Sequence, residues 1–269
     1  MTIPTSLSQG SAVIVRGTVQ SVSEITSLTV GVYDSGGVLV TGRTAQPNAS
    51  TYDLNHLDAY ITFNTLTPGE YTYRVVGTNA GGVGQLVEVQ HFTVTAPEGL
   101  TYINGILVVN KSYSVPSSYN PGGLLSEVQA AFDEMAAAAK KDGISLRVYS
   151  GFRSYARQTT IYNNYCAAYG QATADTFSAR PGHSEHQTGM AIDVNCADDS
   201  FVGTKEAKWL AENGYKYGFI IRYPEGKQHI TGFKYEPWHV RYLGRVNAGL
   251  VYQSGLTLEE YLGIDSVYH

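Results

Sequence analysis

Three short segments hold the residue types that hydrolytic chemistry uses. They are Ser150-Gly151-Phe152-Arg153-Ser154, Ser184-Glu185-His186-Gln187-Thr188-Gly189-Met190-Ala191-Ile192-Asp193 and Glu236-Pro237-Trp238-His239. A catalytic zinc site takes three protein ligands from His, Asp or Glu and leaves one position open. His186, Asp193 and His239 meet that need, which leaves Glu236 to move protons and Arg153 as a fixed positive charge. A His beside an Asp also forms ordinary structural hydrogen-bonded pairs, and residue types alone leave that alternative open. On a regular strand, Glu236 and His239 would face opposite sides. Pro237 cannot donate to a ladder, so a bulge or an edge position there would let the two converge.

The elements that must carry these residues are legible around them. Val128, Phe132, Met135 and Ala139 fall at helical spacing, and Gly143 ends that helix. Ile144, Leu146 and Val148 alternate as a strand leading into Ser150. Ser154 can cap a helix that runs to Tyr169 and stops at Gly170, and Thr204 can cap another that stops at Gly214. This half of the chain therefore reads as an α+β domain with its chemistry at strand ends and loops.

The first half differs. Among basic residues only Arg16, Arg43 and Arg74 precede the Ala96-Pro97-Glu98-Gly99 break, and no lysine occurs before Lys111. Leu28, Val30 and Val32 alternate, Asp34-Ser35-Gly36-Gly37 turns the chain into Val38-Leu39-Val40, and Ala59, Ile61 and Phe63 repeat the period of two. Pro68-Gly69 leads into Tyr71, Tyr73 and Val75, and a last strand runs through Val94. Regular strand spacing predicts an all-β sandwich over residues 1–97, followed by the α+β domain over 98–269. Leu66-Thr67-Pro68-Gly69-Glu70-Tyr71 resembles the tyrosine-corner turn of immunoglobulin-like modules, which implies a spacer or binding module. His56 and His91 are isolated and read as surface or strand histidines.

A net charge of -5 over 269 residues argues against a nucleic-acid partner, and no apolar run reaches the ~18 residues of a membrane span. Met1-Thr2-Ile3-Pro4 lacks the basic-then-apolar pattern of a leader. Cys166 and Cys196 suffice for one disulfide, which export would favour.

Together the three segments resemble the zinc D-alanyl-D-alanine carboxypeptidases of the VanY type, whose fold is shared with the Hedgehog and lysostaphin-like peptidases. That family's Ser-x-His-x-x-Gly-x-Ala-x-Asp motif is filled from Ser184 to Asp193, and its Glu-x-Trp-His motif by Glu236, Trp238 and His239. The resemblance spans the second half, from about Ile106 to Tyr261, and does not reach the first. It implies one zinc held by His186, Asp193 and His239, with Glu236 as general base and acid. It further implies that Arg153 steadies the oxyanion or the substrate's terminal carboxylate, and that Gln158 and Ser184 line the pocket for the C-terminal D-residue. The implied substrate is the bacterial peptidoglycan stem peptide, which sets the expected location outside the cell or in its wall.

An L,D-carboxypeptidase or a phage-type endopeptidase would use the same residues, because specificity lies in loop shape. A wall-binding protein on a peptidase scaffold is a further alternative, against which the complete motif weighs. A serine D,D-peptidase is excluded, since no lysine has a serine three residues before it. The family motif does not use His183, which reads as a cleft-wall residue, and His229 reads as a solvated loop histidine. Trp238 is expected to pack beneath the site. Arg241 would share a face with His239 on an extended segment, so it can either support the site from behind or form a structural ion pair.

Overall fold

A computed structural model describes residues 3–82 and 84–269 of the chain. Met1 and Thr2, half of the segment read for a leader, lie outside the described residues. Two compact units emerge, one of residues 1–98 with 104–106 and the other of 99–103 with 107–269.

The first unit holds strands β1 (Ser6–Ser8), β2 (Thr18–Asp34), β3 (Leu39–Ala45), β4 (Ala49–Asp53), β5 (Gly69–Asn79) and β6 (Gly84–Thr95). They share one hydrogen-bonded sheet in the order β1-β6-β5-β2-β3, with β4 also on β2. Long β2 makes this connection: Thr18–Ile25 pairs with β4, whereas its later residues lie between β3 and β5. Alternation puts Leu28, Val30 and Val32 into the core with Tyr73, Val75 and Phe92. The turn after β2 forms as its residues require, with Asp34 accepting at its carbonyl from Gly37 and at its carboxylate from Val38. Tyr71 donates its hydroxyl to the Thr67 carbonyl at 2.9 Å, the hydrogen bond of a tyrosine corner.

The strand expected around Ala59, Ile61 and Phe63 is absent. Short 3-10 turns cover Leu54–Tyr60 and Phe63–Thr65, although Ile61 and Phe63 are buried. Side-chain carboxylates draw this backbone away from a ladder. Asp53 caps the first turn, and Asp58 accepts from the Val15 amide.

After a hairpin of β7 (Tyr102–Ile103) and β8 (Ile106–Leu107), the second unit contains helix α1 (Ser126–Lys141), strand β9 (Val148–Ser150), and helices α2 (Tyr155–Tyr169) and α3 (Gln171–Ala174). Next come β10 (Ala191–Val194), α4 (Lys205–Asn213), β11 (Phe219–Tyr223), α5 (Gln228–Thr231), β12 (Glu236–Tyr242), α6 (Arg245–Ser254) and α7 (Leu258–Leu262). The sheet is antiparallel in the order β11-β12-β10-β9. The apolar stripe of α1, Val128, Phe132, Met135 and Ala139, is buried with Ile192, Phe219 and Val240 of the sheet. Emptying one such place, as in Phe132→Ala, costs about 3–5 kcal/mol.

Ser154 and Thr204 cap α2 and α4 through their hydroxyls, and Gly170 ends α2. The strand expected from Ile144 is shorter and starts at Val148. Asn195, at a φ of 65°, substitutes for the ladder there: its side chain accepts from the Arg147 amide and donates to the Ser145 carbonyl.

Candidate active site

Two adjacent strands place two of the expected ligands. Asp193 on β10 lies directly opposite His239 on β12, and Asp193 Oδ1 is 3.1 Å from His239 Nδ1. His186 arrives on a single 3-10 turn, Glu185–Thr188, that ends at Gly189 with φ of 72°. A β-carbon at Gly189 would meet the Gly123 carbonyl at 2.5 Å, so both conformation and space require glycine. His186 Nε2 lies 3.3 Å from Asp193 Oδ2. Donor atoms of His186, Asp193 and His239 all fall within 4.8 Å of one another, and the three side chains are buried.

Each imidazole is held from its far side. His186 Nδ1 donates to the Gly151 carbonyl at 2.6 Å, leaving Nε2 toward Asp193. His239 Nε2 is 3.3 Å from Glu185 Oε2, leaving Nδ1 toward Asp193. Two imidazoles with their other nitrogens engaged, together with one carboxylate, form a donor set that suits tetrahedral zinc with an open position.

Glu236 reaches the same cleft through an irregularity in β12. Ile221 pairs with Val240 and Tyr223 with Glu236, so Pro237, Trp238 and His239 stand against the single residue Arg222. The bulge at Pro237 brings Glu236 and His239 to one cavity of about 620 Å³, which Arg153, Gln158, Ser184, His186 and Asp193 also line. Arg153 comes from the loop after β9. Its guanidinium donates to Asp193 Oδ2 at 3.3 Å, Ser150 Oγ at 3.1 Å and Gln158 Oε1 at 3.0 Å. Gln158 is buried and donates to the Ala179 carbonyl at 2.7 Å, so it braces Arg153 as well as lining the cleft.

The electrostatics are uneven. Burial pushes the Glu236 carboxyl up to about 7, with Asp193 adding to this and His239 opposing it. Burial lowers His186. Burial would lower His239 too, but its hydrogen bonds to Asp193 and Glu185 prevail and push it up to about 9. Despite its burial, Asp193 is held well below the usual carboxylate range by the two histidines.

A match to the family model for VanY, D-alanyl-D-alanine carboxypeptidase, covers residues 123–245, which contain every one of these side chains. The D-alanyl-D-alanine carboxypeptidase of Enterococcus faecalis is 33% identical over 217 residues, covering 74% of this chain and 80% of its own length. This chain belongs to the VanY family of carboxypeptidases. Among solved structures, the LdcB LD-carboxypeptidase aligns at a TM-score of 0.56 and 42% identity, covering 61% of this chain and 89% of its own. A VanY D,D-pentapeptidase variant in complex with Zn(II) aligns at a TM-score of 0.52 and 37% identity, covering 58% and 97%.

Other expectations fare differently. His183 turns away from the cleft, with Nδ1 at 2.8 Å from the Asn110 carbonyl and its ring edge-on to Tyr268. His229 is exposed, on the short helix α5. Trp238 packs in the core beneath the site. Arg241 stands behind the ligands, donating to Glu185 Oε1 at 2.9 Å. Cys166 and Cys196 are not bridged: each is a free thiol, and Cys196 Sγ turns to the Asp198 carbonyl and Ser200 Oγ, both at 3.9 Å. Two residues escaped the sequence reading, Glu185 and Tyr223. Glu185 occupies an unspecified position of the Ser184–Asp193 motif, and Tyr223 is paired with Glu236 across the strands. No composition or spacing signal marks Tyr223, whereas a carboxylate beside a ligand histidine is a signal that could have found Glu185.

Proposed function

We propose that residues 98–269 form a zinc D-alanyl-D-alanine carboxypeptidase, with one zinc per chain, that removes the terminal D-residue of peptidoglycan stem peptides. The observation that carries this reading is the convergence of His186, Asp193 and His239 with Glu236 and Arg153 in one cleft. His186 Nε2, an Asp193 carboxylate oxygen and His239 Nδ1 would hold the ion, which when bound supplies a Lewis acid for the scissile carbonyl and for water.

The remaining chemistry falls to this chain's own side chains. Glu236, whose carboxyl titrates near 7, can accept a proton from the attacking water and return it to the departing amine. Arg153, braced by Ser150, Gln158 and Asp193, offers a preoriented cation to the oxyanion or to the peptide's terminal carboxylate. Gln158 and Ser184 line the pocket for the terminal D-residue.

A second reading, L,D-carboxypeptidase activity on tetrapeptide stems, is favoured by the likeness to LdcB, whose description concerns peptidoglycan recognition. Mass spectrometry of pentapeptide and tetrapeptide stems, with and without a chelator, separates the readings. Loss of terminal D-Ala from the pentapeptide supports the first and trimming of the tetrapeptide the second. Cleavage within a stem or crossbridge would make the enzyme an endopeptidase, and no turnover at all would leave a wall-binding protein.

Residues 1–97 serve in this proposal as an immunoglobulin-like spacer or wall-binding module, a reading supported by the Tyr71 corner and the all-β core. A wall substrate sets the place of action outside the cell membrane. Among the described residues no helix is long and apolar enough to cross a membrane.

A further inference from the structure

Behind His239 lies a closed group of charges that the hydrolytic reading leaves unused. Glu185 Oε1 accepts from Arg222 Nε at 2.8 Å and from an Arg241 terminal nitrogen at 2.9 Å, while Oε2 faces His239 Nε2 at 3.3 Å. The other edge of Arg222 grips Glu259 at 2.8 Å, and Asn110 donates to the same Glu259 carboxylate at 3.1 Å. Arg241 also donates to the Leu107 carbonyl at 2.7 Å. Glu185, Glu259, Arg222 and Arg241 are each no more than 2% exposed.

Two guanidiniums, which do not lose their protons in proteins, face two carboxylates, so the group is neutral without a proton from His239. An ionised carboxylate only accepts hydrogen bonds. His239 must therefore present an N–H at Nε2 to Glu185. A neutral imidazole has one N–H, which leaves the lone pair at Nδ1, the nitrogen aimed at Asp193. His186 is set in the opposite sense, because its Nδ1–H is spent on the Gly151 carbonyl. We propose that Glu185 is a positioning residue that fixes the Nε2–H tautomer of His239 and so commits Nδ1 to the metal. Arg222, Arg241 and Glu259 form the frame that holds Glu185 ionised and in place. The inference rests on reading His186, Asp193 and His239 as metal ligands.

Glu185→Gln turns this logic around. A glutamine whose oxygen faces the two arginines presents its NH2 to His239 Nε2, which must then become the acceptor and move its proton to Nδ1. The test uses the full-length chain labelled with 15N-histidine and Zn(II) alone as the probe, with affinity read by competition against a chromophoric chelator. The expected wild-type spectrum shows His239 protonated at Nε2 and metal-shifted at Nδ1. Glu185→Gln should fold yet bind Zn(II) about 10–100-fold more weakly, the range seen when such supporting acceptors are lost. Glu259→Gln removes the same charge from the same frame without touching His239, and should keep nearly all of the wild-type affinity.

Equal zinc affinity in wild type and Glu185→Gln overturns the inference, as does equal weakening in both variants. If Glu185→Gln fails to fold, the wild-type tautomer decides alone, and coordination of His239 through Nε2 overturns it. A wild-type chain that binds no Zn(II) defeats the metal reading itself, which sets that failure apart from the others.

Discussion

Glu236 and His239 enter one cleft although only two residues separate them on the same strand. Between the Tyr223–Glu236 and Ile221–Val240 pairs, β12 has three residues where β11 has one. An unbroken pleat would send the two side chains to opposite faces, so the bulge at Pro237 is what unites a proton carrier with a ligand. Across the other edge of β12, His239 faces Asp193 in regular register. One strand thus uses an irregular edge to gather Glu236 and a regular edge to pair His239.

The three ligands should fail together when tested one at a time. Metal analysis of chain purified without chelator should find zinc near one equivalent, and His186→Ala, Asp193→Ala and His239→Ala should each lose most of it. Asp193 is hydrogen-bonded to both histidines and to Arg153, so its loss should also lower the melting temperature. Full zinc occupancy in His239→Ala would require another third ligand.

Because each unit has its own buried core, a fragment of residues 98–269 should fold and hydrolyse soluble stem peptides at close to the full chain's rate. Circular dichroism and peptide turnover check this. A folded but inactive fragment would mean that residues 1–97 contribute to catalysis.

The ligand set was legible because the chemistry demands particular residue types in a short motif, and local signals such as the Ser154 and Thr204 caps act within a few residues of themselves. Where tertiary partners decide, the pattern misleads. Ile61 and Phe63 are buried at alternate positions as a strand would bury them, yet Asp53 and Asp58 hold that stretch in 3-10 turns. Glu185 stayed hidden for a related reason, since its partners Arg222, Arg241 and His239 lie 37 to 56 residues away. The free thiols are a third case: two cysteines permit a bridge by count, but the Cys196 side chain is directed at its own turn.

Asp175 should make stability depend on pH in the acid range. Its carboxylate accepts from Arg180 Nε at 3.2 Å and from an Arg180 terminal nitrogen at 2.9 Å, and from the Tyr162 hydroxyl at 2.8 Å. Burial alone would raise Asp175, but these hydrogen bonds hold it below the usual carboxylate range. A group depressed on folding stabilises above its unfolded value of about 3.9, and that contribution is lost as pH falls through the folded value. Asp175→Asn should therefore melt earlier than wild type at pH 7, and the gap should narrow as pH drops below about 4. A gap that stays constant down to pH 2 would show that charge at Asp175 is not what stabilises this corner.

Glu236→Gln separates holding the metal from moving the proton. Glutamine keeps the size of the side chain and most of its hydrogen bonding but cannot accept the proton of an attacking water. Glu236 also stands outside the group of donor atoms that lie within 4.8 Å of one another. The variant should therefore retain zinc and melt at or slightly above the wild-type temperature, because a carboxyl raised to about 7 by burial is costly to keep ionised. Its turnover should fall by about 10²–10⁴-fold, the range for loss of a general base. Arg153→Ala makes the contrast: it should also keep zinc, but lose a preoriented cation, so KM rises if Arg153 holds the terminal carboxylate and kcat falls if it meets the oxyanion. Should Glu236→Gln lose its zinc, Glu236 is a ligand and the set of three must be redrawn. Should it turn over stem peptide at close to the wild-type rate, another group carries the proton, and within this cleft the Tyr223 side chain, paired with Glu236 across the strands, is the first to test.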